Sequence, residues 1–187
     1  LGGDNRSDGC GGWGDAAVIV PWELYQEYND AAILRESYEL MRDWVEYQSR
    51  PDRETPEGIQ TKQRRGDHLA YDTTTPHELC ATAYAARCAG LLSQAAAILG
   101  RDEDARKYAA RFERVKKAFA DRWFAADGTC EFPSQTAYAL AIDFGLLDGV
   151  QLKGAGEGLL KAVKERDYHL SVGFLGISHL LPALTRS

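Results

Sequence analysis

The 187-residue chain has a net charge of −6, with 44% hydrophobic and 27% charged residues, and is long enough for one domain with a sizeable core. Its acidic balance offers no basic face to a nucleic-acid backbone. No apolar run approaches the roughly 20 residues that cross a bilayer, so neither nucleic acid nor membrane is an expected partner.

Residues 1–14 hold six glycines together with Asp4, Asn5, Ser7 and Asp8, and read as loop. The opening Leu1-Gly2-Gly3-Asp4 does not read as a signal peptide. The first residue is not Met, and the only Met, Met41, lies inside a helical pattern, which points to a processed or partial chain. Asp15 suits the N-cap of a helix carrying Val18, Ile19, Trp22, Leu24 and Tyr25, with Pro21 near its start. Asn29-Asp30 closes that helix and caps the next. In this second helix Ile33, Leu34, Tyr38, Met41, Trp44, Val45 and Tyr47 keep helical spacing, and charged residues take the other side. A turn this short makes the two an αα-hairpin.

Residues 51–73 break the pattern with Pro51, Pro56, Gly58 and Gly66, and a connection of that length is more often functional than passive. It contains Arg64-Arg65-Gly66-Asp67-His68-Leu69. Thr75-Pro76, with Glu78 three residues after Thr75, reads as a capped helix start. The helix over about 76–99 is dense in alanine and stops at Gly100. Asp102 is expected to cap its partner, which carries Tyr108, Phe112, Val115, Phe119 and Trp123. Asp127-Gly128 turns the chain into a third small-residue helix, Gln135 to Phe144, and Val150, Leu159, Leu160 and Val163 mark the helix after it. His169 to Gly176 is a loop leading to a last, unpaired helix, Ser178 to Leu184.

About seven helices and no convincing strand result. Small-residue helices alternate with amphipathic ones in antiparallel pairs, which predicts an all-α fold with an inner and an outer ring, an α/α toroid. No repeat is regular enough for a solenoid. The four cysteines have neither CxxC nor histidine spacing, so they read as structural thiols, favouring a reducing compartment such as the cytoplasm. No oxygen-ligand loop of the calcium kind is present, and neither metal nor cofactor is expected.

Trp13 and Asp15 stand two residues apart in the glycine-rich turn. This places an aromatic face beside a hydrogen-bond acceptor at the rim of a helical barrel, as a sugar site requires. Capping and sugar contact compete for the Asp15 oxygens. Asp67 has the same ambiguity in its long loop, and His68 beside it is either a catalytic group or simply solvated. Trp22, Trp44 and Trp123 are core by default, with Trp22 the candidate exception. His169 and His179 carry no chemistry on this reading, and Asp72 and Glu78 are capping groups.

Several stretches, taken in order, carry a resemblance: Gly12-Trp13-Gly14-Asp15-Ala16-Ala17-Val18-Ile19-Val20-Pro21-Trp22, Gly66-Asp67, Leu99-Gly100-Arg101-Asp102, Ser134 to Ala141, and His169 to Gly176. Together they resemble the catalytic (α/α)6 barrel of bacterial α-L-rhamnosidases, glycoside hydrolase family 78, over essentially the whole chain. The resemblance implies part of such a barrel and an inverting hydrolysis of terminal α-L-rhamnose from glycosides. In that chemistry one carboxylic acid protonates the leaving oxygen, and a carboxylate roughly 6.5–9.5 Å away activates water. The family's acid and base segments lie outside these residues, so the resemblance transfers no catalytic residue and implies an isolated chain without turnover. It does place Trp13 and Asp15 at the sugar subsite. Asp67 falls where the family carries Gly-Asp-Trp, and His68 takes the tryptophan's place.

The alternative function is a non-catalytic helical module that binds a sugar or a protein partner. Part of a ring also leaves inner and edge faces open, which predicts that the isolated chain either self-associates through them or closes them by rearrangement.

Overall fold

The computed structural model describes residues 9–63, 65–71 and 75–186. The loop expected at 1–8, Arg64 and the capping role of Asp72 lie outside the described residues. Among those described there are seven α-helices and no strand longer than an isolated bridge: α1 Ala16–Tyr28, α2 Ala31–Gln48, α3 His77–Ile98, α4 Asp102–Trp123, α5 Gln135–Asp143, α6 Gly149–Lys164 and α7 Ile177–Arg186.

Side-chain pattern decides which helices go inside. α2 buries one stripe, Leu34, Tyr38, Met41 and Val45, and α4 buries another, Tyr108, Arg111, Val115, Phe119 and Trp123; their opposite faces stay wet. In α5 every residue from Gln135 to Ile142 is buried, and α3 is buried along most of its length. Alanine makes that enclosure possible, because small side chains let neighbouring helices approach from several directions. The odd helices accordingly pack on one another in sequence, α1 on α3, α3 on α5 and α5 on α7, while α2, α4 and α6 back them as hairpin partners. This is an all-α arc of an α/α toroid with an inner and an outer layer. One core cluster joins α3, α4, α5, α6 and α7; a second joins α1, α2, α3 and α4.

The helix ends refine the expected caps. Asn29 takes the left-handed conformation (φ 51°) that ends α1, and the Asp30 side chain accepts from the Ala32 amide at 2.9 Å, starting α2. Asp102 lies inside the first turn of α4 instead of capping it; with Glu103 and Asp104 it places negative charge against the positive helix end. Thr75 makes no capping box with Glu78. Its hydroxyl pairs with Ser134 at 2.7 Å, tying the starts of α3 and α5 together.

The connections after α2 and α4 share a shape that no sequence repeat announces. Each begins with a small hairpin: Glu54 bridges Gln60, and Phe124 bridges Cys130. The Thr55 amide donates to Ile59 O at 2.9 Å and the Ala125 amide to Thr129 O at 2.9 Å. Both tips turn on a glycine of positive φ, Gly58 at +120° and Gly128 at +87°. Each tip rests on the next outer helix. Gly128 touches the α6 backbone so closely that a Cβ on Gly154 would collide with the Asp127 carbonyl. Gly154→Ala is therefore expected to lose about 1–3 kcal/mol, since backbone cannot yield to the added methyl, and a urea melt reads that loss directly. The first hairpin is fixed to α4 by Glu54, which receives both Arg111 guanidinium nitrogens (2.9 and 2.5 Å) and Arg114 (2.6 Å).

Candidate sugar site at the inner-helix N-termini

The segments leading into α1, α3, α5 and α7 meet at one end of the arc. The Gly11 amide donates to Gln63, Arg53 donates to Gly9 O at 2.8 Å, and Gln135 donates to His169 O at 3.0 Å. Trp13 lies in the segment leading into α1. It is half-buried, and its ring lies 5.9 Å from that of Phe174 at an interplanar angle of 17°, an offset stack. Phe174 is 64% exposed, so the pair forms a continuous aromatic surface reaching solvent. Phe174 also lines a cavity of about 700 Å³ that runs between α1, α3 and α7.

Asp15 is not on that surface. It is 0% exposed, and its side chain makes no helix cap. One carboxylate oxygen takes the Gly12 amide. The other takes Trp44 Nε1 at 2.7 Å, Gln48 Nε2 at 2.8 Å and the Cys88 thiol at 3.2 Å. Burial pushes its carboxyl up, and the hydrogen bonds from Gly12, Trp44, Cys88 and Gln48 offset only part of that rise. Asp15 thus folds the glycine turn back on itself and fastens it to α2 and α3. Gly14 is needed for the same closeness, because a Cβ there would run into the Trp44 ring.

Asp67 is half-buried and equally committed. Its oxygens accept the amides of Gly173 (2.6 Å), Leu175 (2.7 Å) and Gly176 (3.2 Å), together with the Thr136 hydroxyl. The Phe174 amide donates to His68 O at 2.8 Å, while the His68 side chain stands exposed beside this contact. Gly173 permits it, since a side chain there would strike the backbone of His68 and Ala70. Trp22 belongs to the second core cluster, 9% exposed and packed on Tyr25 at 5.7 Å; it takes no part in the face.

Two contributors were missed in the sequence. Phe174 lies in the His169–Gly176 loop, where an aromatic between Gly173 and Gly176 is a usable signal. His179, taken as inert, pairs with Asp143 at 2.7 Å across α5 and α7, a long-range contact that no local pattern marks. All four cysteines are free thiols, and burial pushes those of Cys80, Cys88 and Cys130 up, so they act as packing groups. Among the described residues no helix is long and apolar enough to cross a membrane.

Residues 3–187 match the family model for the bacterial α-L-rhamnosidase six-hairpin glycosidase domain. An α-L-rhamnosidase of Streptomyces avermitilis is 36% identical over 97% of this chain, and one of Alteromonas sp. (strain LOR) is 35% identical over 92%. The chain spans 17% and 20% of the length of these two relatives. The crystal structure of the Streptomyces avermitilis enzyme complexed with L-rhamnose superposes with a TM-score of 0.87 at 36% identity, covering 94% of this chain and 17% of that one. Native α-L-rhamnosidase from Aspergillus terreus gives 0.82 at 29% identity, covering 92% and 21%. The fold, the hairpin order and the matched residues agree, and the chain belongs to the bacterial α-L-rhamnosidase six-hairpin glycosidase family.

Proposed function

We propose that this chain forms the rhamnose-facing part of an α-L-rhamnosidase barrel, in which Trp13 and Phe174 make the apolar floor of the sugar subsite and His68 stands at its edge. The exposed Trp13–Phe174 stack carries the reading. A pyranose presents C–H bonds on one face and hydroxyls around its rim, and a flat aromatic surface binds the first while leaving the second to polar neighbours. Asp15 and Asp67 act by positioning: Asp15 holds the turn that carries Trp13, and Asp67 holds the loop that carries Phe174.

Both loop carboxylates are spent on hydrogen bonds, so neither serves as general acid or base. Inverting hydrolysis needs two carboxyl groups facing the glycosidic bond across room for a water. We assign that pair to polypeptide other than these residues. The chain alone is then expected to bind L-rhamnose, quenching or shifting tryptophan emission, and to release no p-nitrophenol from p-nitrophenyl α-L-rhamnoside. Trp13→Ala should lower the sugar affinity by about tenfold or more, the loss of one aromatic contact of about 1.5 kcal/mol. No saturable response to L-rhamnose would remove the sugar reading and leave the alternative of a helical module for a protein partner. Turnover by the chain would show that it does contain the acid and base.

Val20 on α1 and Ile177 on α7 are exposed into the cavity between these helices, and Leu24 and Tyr28 on α1 and Leu181 on α7 are exposed as well. Self-association through these faces is the proposed state of the isolated chain, read as a concentration-dependent sedimentation coefficient in analytical ultracentrifugation.

A further inference from the structure

Under the aromatic face, α3, α5 and α7 align three side chains that the sugar reading does not use. The Tyr84 hydroxyl donates to the Leu175 carbonyl at 3.0 Å. His179 Nε2 lies 3.2 Å from the same hydroxyl, and His179 Nδ1 lies 2.7 Å from Asp143 Oδ2. Leu175 is 1% exposed and directly follows Phe174, so its carbonyl is the inner anchor of the segment that presents the exposed ring.

The distances along this chain of contacts accommodate two proton arrangements. A tyrosine hydroxyl has one proton; when it goes to Leu175 O, the oxygen can only accept from Nε2. Burial pushes the Tyr84 phenol well above its ordinary range, which keeps that proton in place. Asp143 also only accepts. Burial raises its carboxyl, but the hydrogen bond from His179 and the charges of His179, Arg186 and Arg87 outweigh burial and leave it below the usual range. Arg186 donates to Asp143 Oδ1 at 2.6 Å and to its main-chain carbonyl at 2.7 Å. With the Tyr84 proton on Leu175 O both imidazole nitrogens donate, which only the imidazolium can do; with that proton turned to Nε2 the neutral ring fits the same distances.

We propose that His179 is a proton-dependent latch on the loop that carries Phe174. As the imidazolium it donates to Asp143 and to Tyr84, and the Tyr84 hydroxyl is held on Leu175 O. When Nε2 gives its proton to solvent, Nδ1–H stays on Asp143, the bare Nε2 becomes an acceptor, and the Tyr84 O–H turns to it. The Leu175 carbonyl is released. The inner anchor of the loop is lost while Asp67 continues to hold its amides from the other side.

The groups around the ring set the balance. Asp143 on α5 favours the imidazolium; Arg87 on α3 and Arg186 on α7 oppose it, and Glu23 on α1 partly neutralises Arg87 at 3.9 Å. Asp15 and Asp67 act on Tyr84 from the loop side. Phe144 packs edge-on against the imidazole at 4.6 Å and 77°, closing it from below.

The latch goes beyond the sugar reading and does not depend on it. Its test is an NMR titration of the isotopically labelled 187-residue chain. The His179 ring resonances and the Leu175 carbonyl carbon are expected to move with one shared midpoint. Amide exchange at Phe174 and Ile177, corrected for the intrinsic pH dependence of exchange, should rise about 2- to 10-fold across it, the factor one net hydrogen bond supplies. In Tyr84→Phe, His179 still titrates, but the loop exchanges at the fast, high-pH level throughout. In His179→Gln the step in both signals disappears. A His179 titration that leaves the Leu175 carbonyl and the loop amides unmoved would overturn the latch, as would a full step persisting in either variant.

Discussion

Asp67→Ala is expected to weaken L-rhamnose binding by about 10- to 100-fold while lowering global stability by only about 1 kcal/mol. The two effects separate because of where the lost partners go. Three amides, those of Gly173, Leu175 and Gly176, and the Thr136 hydroxyl lose their common acceptor. Asp67 itself is half-buried, so water can enter the space its carboxylate leaves and take up these donors, although Gly173, Leu175, Gly176 and Thr136 are themselves buried. Unfolding is barely favoured by that change, but Phe174 no longer lies parallel to Trp13, and the flat surface proposed for the sugar is broken. Asp67→Asn should fall between, because the amide keeps one acceptor oxygen and turns its NH2 toward a donor. Fluorescence titration with L-rhamnose gives the first effect and urea unfolding the second. A variant that binds as wild type would show that the loop clamp does not organise the subsite. One that loses several kcal/mol of stability would show the clamp to be part of the core.

The helical architecture was legible because it rests on signals that are local in the chain. The stripe of Leu34, Tyr38, Met41 and Val45 repeats with the helix period, and the alanine density of α3 and the Gln135–Ile142 run mark helices enclosed on many sides. From those alternations an inner and an outer layer follow. The hairpins after α2 and α4 were not legible, since Thr55-Pro56-Glu57-Gly58 and Ala125-Ala126-Asp127-Gly128 share only the glycine. Their common shape comes from the next outer helix against which each tip is pressed.

Sequence located the aromatic half of the candidate site better than the acidic half. Trp13 was legible from its glycine neighbours, which leave an aromatic ring room near the surface. Asp15 and Asp67 were recognised as important, but a carboxylate in a loop looks the same whether it faces a ligand or a ring of amides. Only the fold shows that Trp44 and Gln48 from α2 and Cys88 from α3 converge on Asp15, and that the segment before α7 returns to Asp67 across more than 100 residues. Glu78 had the spacing of a capping box, yet the Thr75 hydroxyl found Ser134 instead, because the starts of α3 and α5 lie side by side.

Asp15→Ala is expected to cost about 3–5 kcal/mol of global stability, near the upper limit for one substitution. Unlike Asp67, Asp15 is 0% exposed, and further chain packed on this domain could only cover it more. Its removal strands the Gly12 amide, the Trp44 indole N–H and the Gln48 amide together, at about 1–3 kcal/mol for each donor left without a partner, less whatever one admitted water restores. Gln48 already has its Oε1 buried without a hydrogen bond, so it has no second arrangement to fall back on. Asp15→Asn keeps one oxygen for the three donors grouped at Oδ1 but sets its NH2 against the Gly12 amide, and about 2 kcal/mol is expected. The pH dependence distinguishes this account from simple loss of packing. Burial leaves the folded Asp15 carboxyl above its unfolded value, so the wild-type protein binds this proton more tightly when folded. That contribution is fully present below the unfolded pKa and is lost as pH rises through the folded one. The stability gap between wild type and Asp15→Asn should therefore be wider in acid than at neutral pH. Urea melts of both proteins at pH values on either side of the carboxylate range measure it. A gap that narrows on acidification would mean that the four donors, and not burial, set the Asp15 charge state.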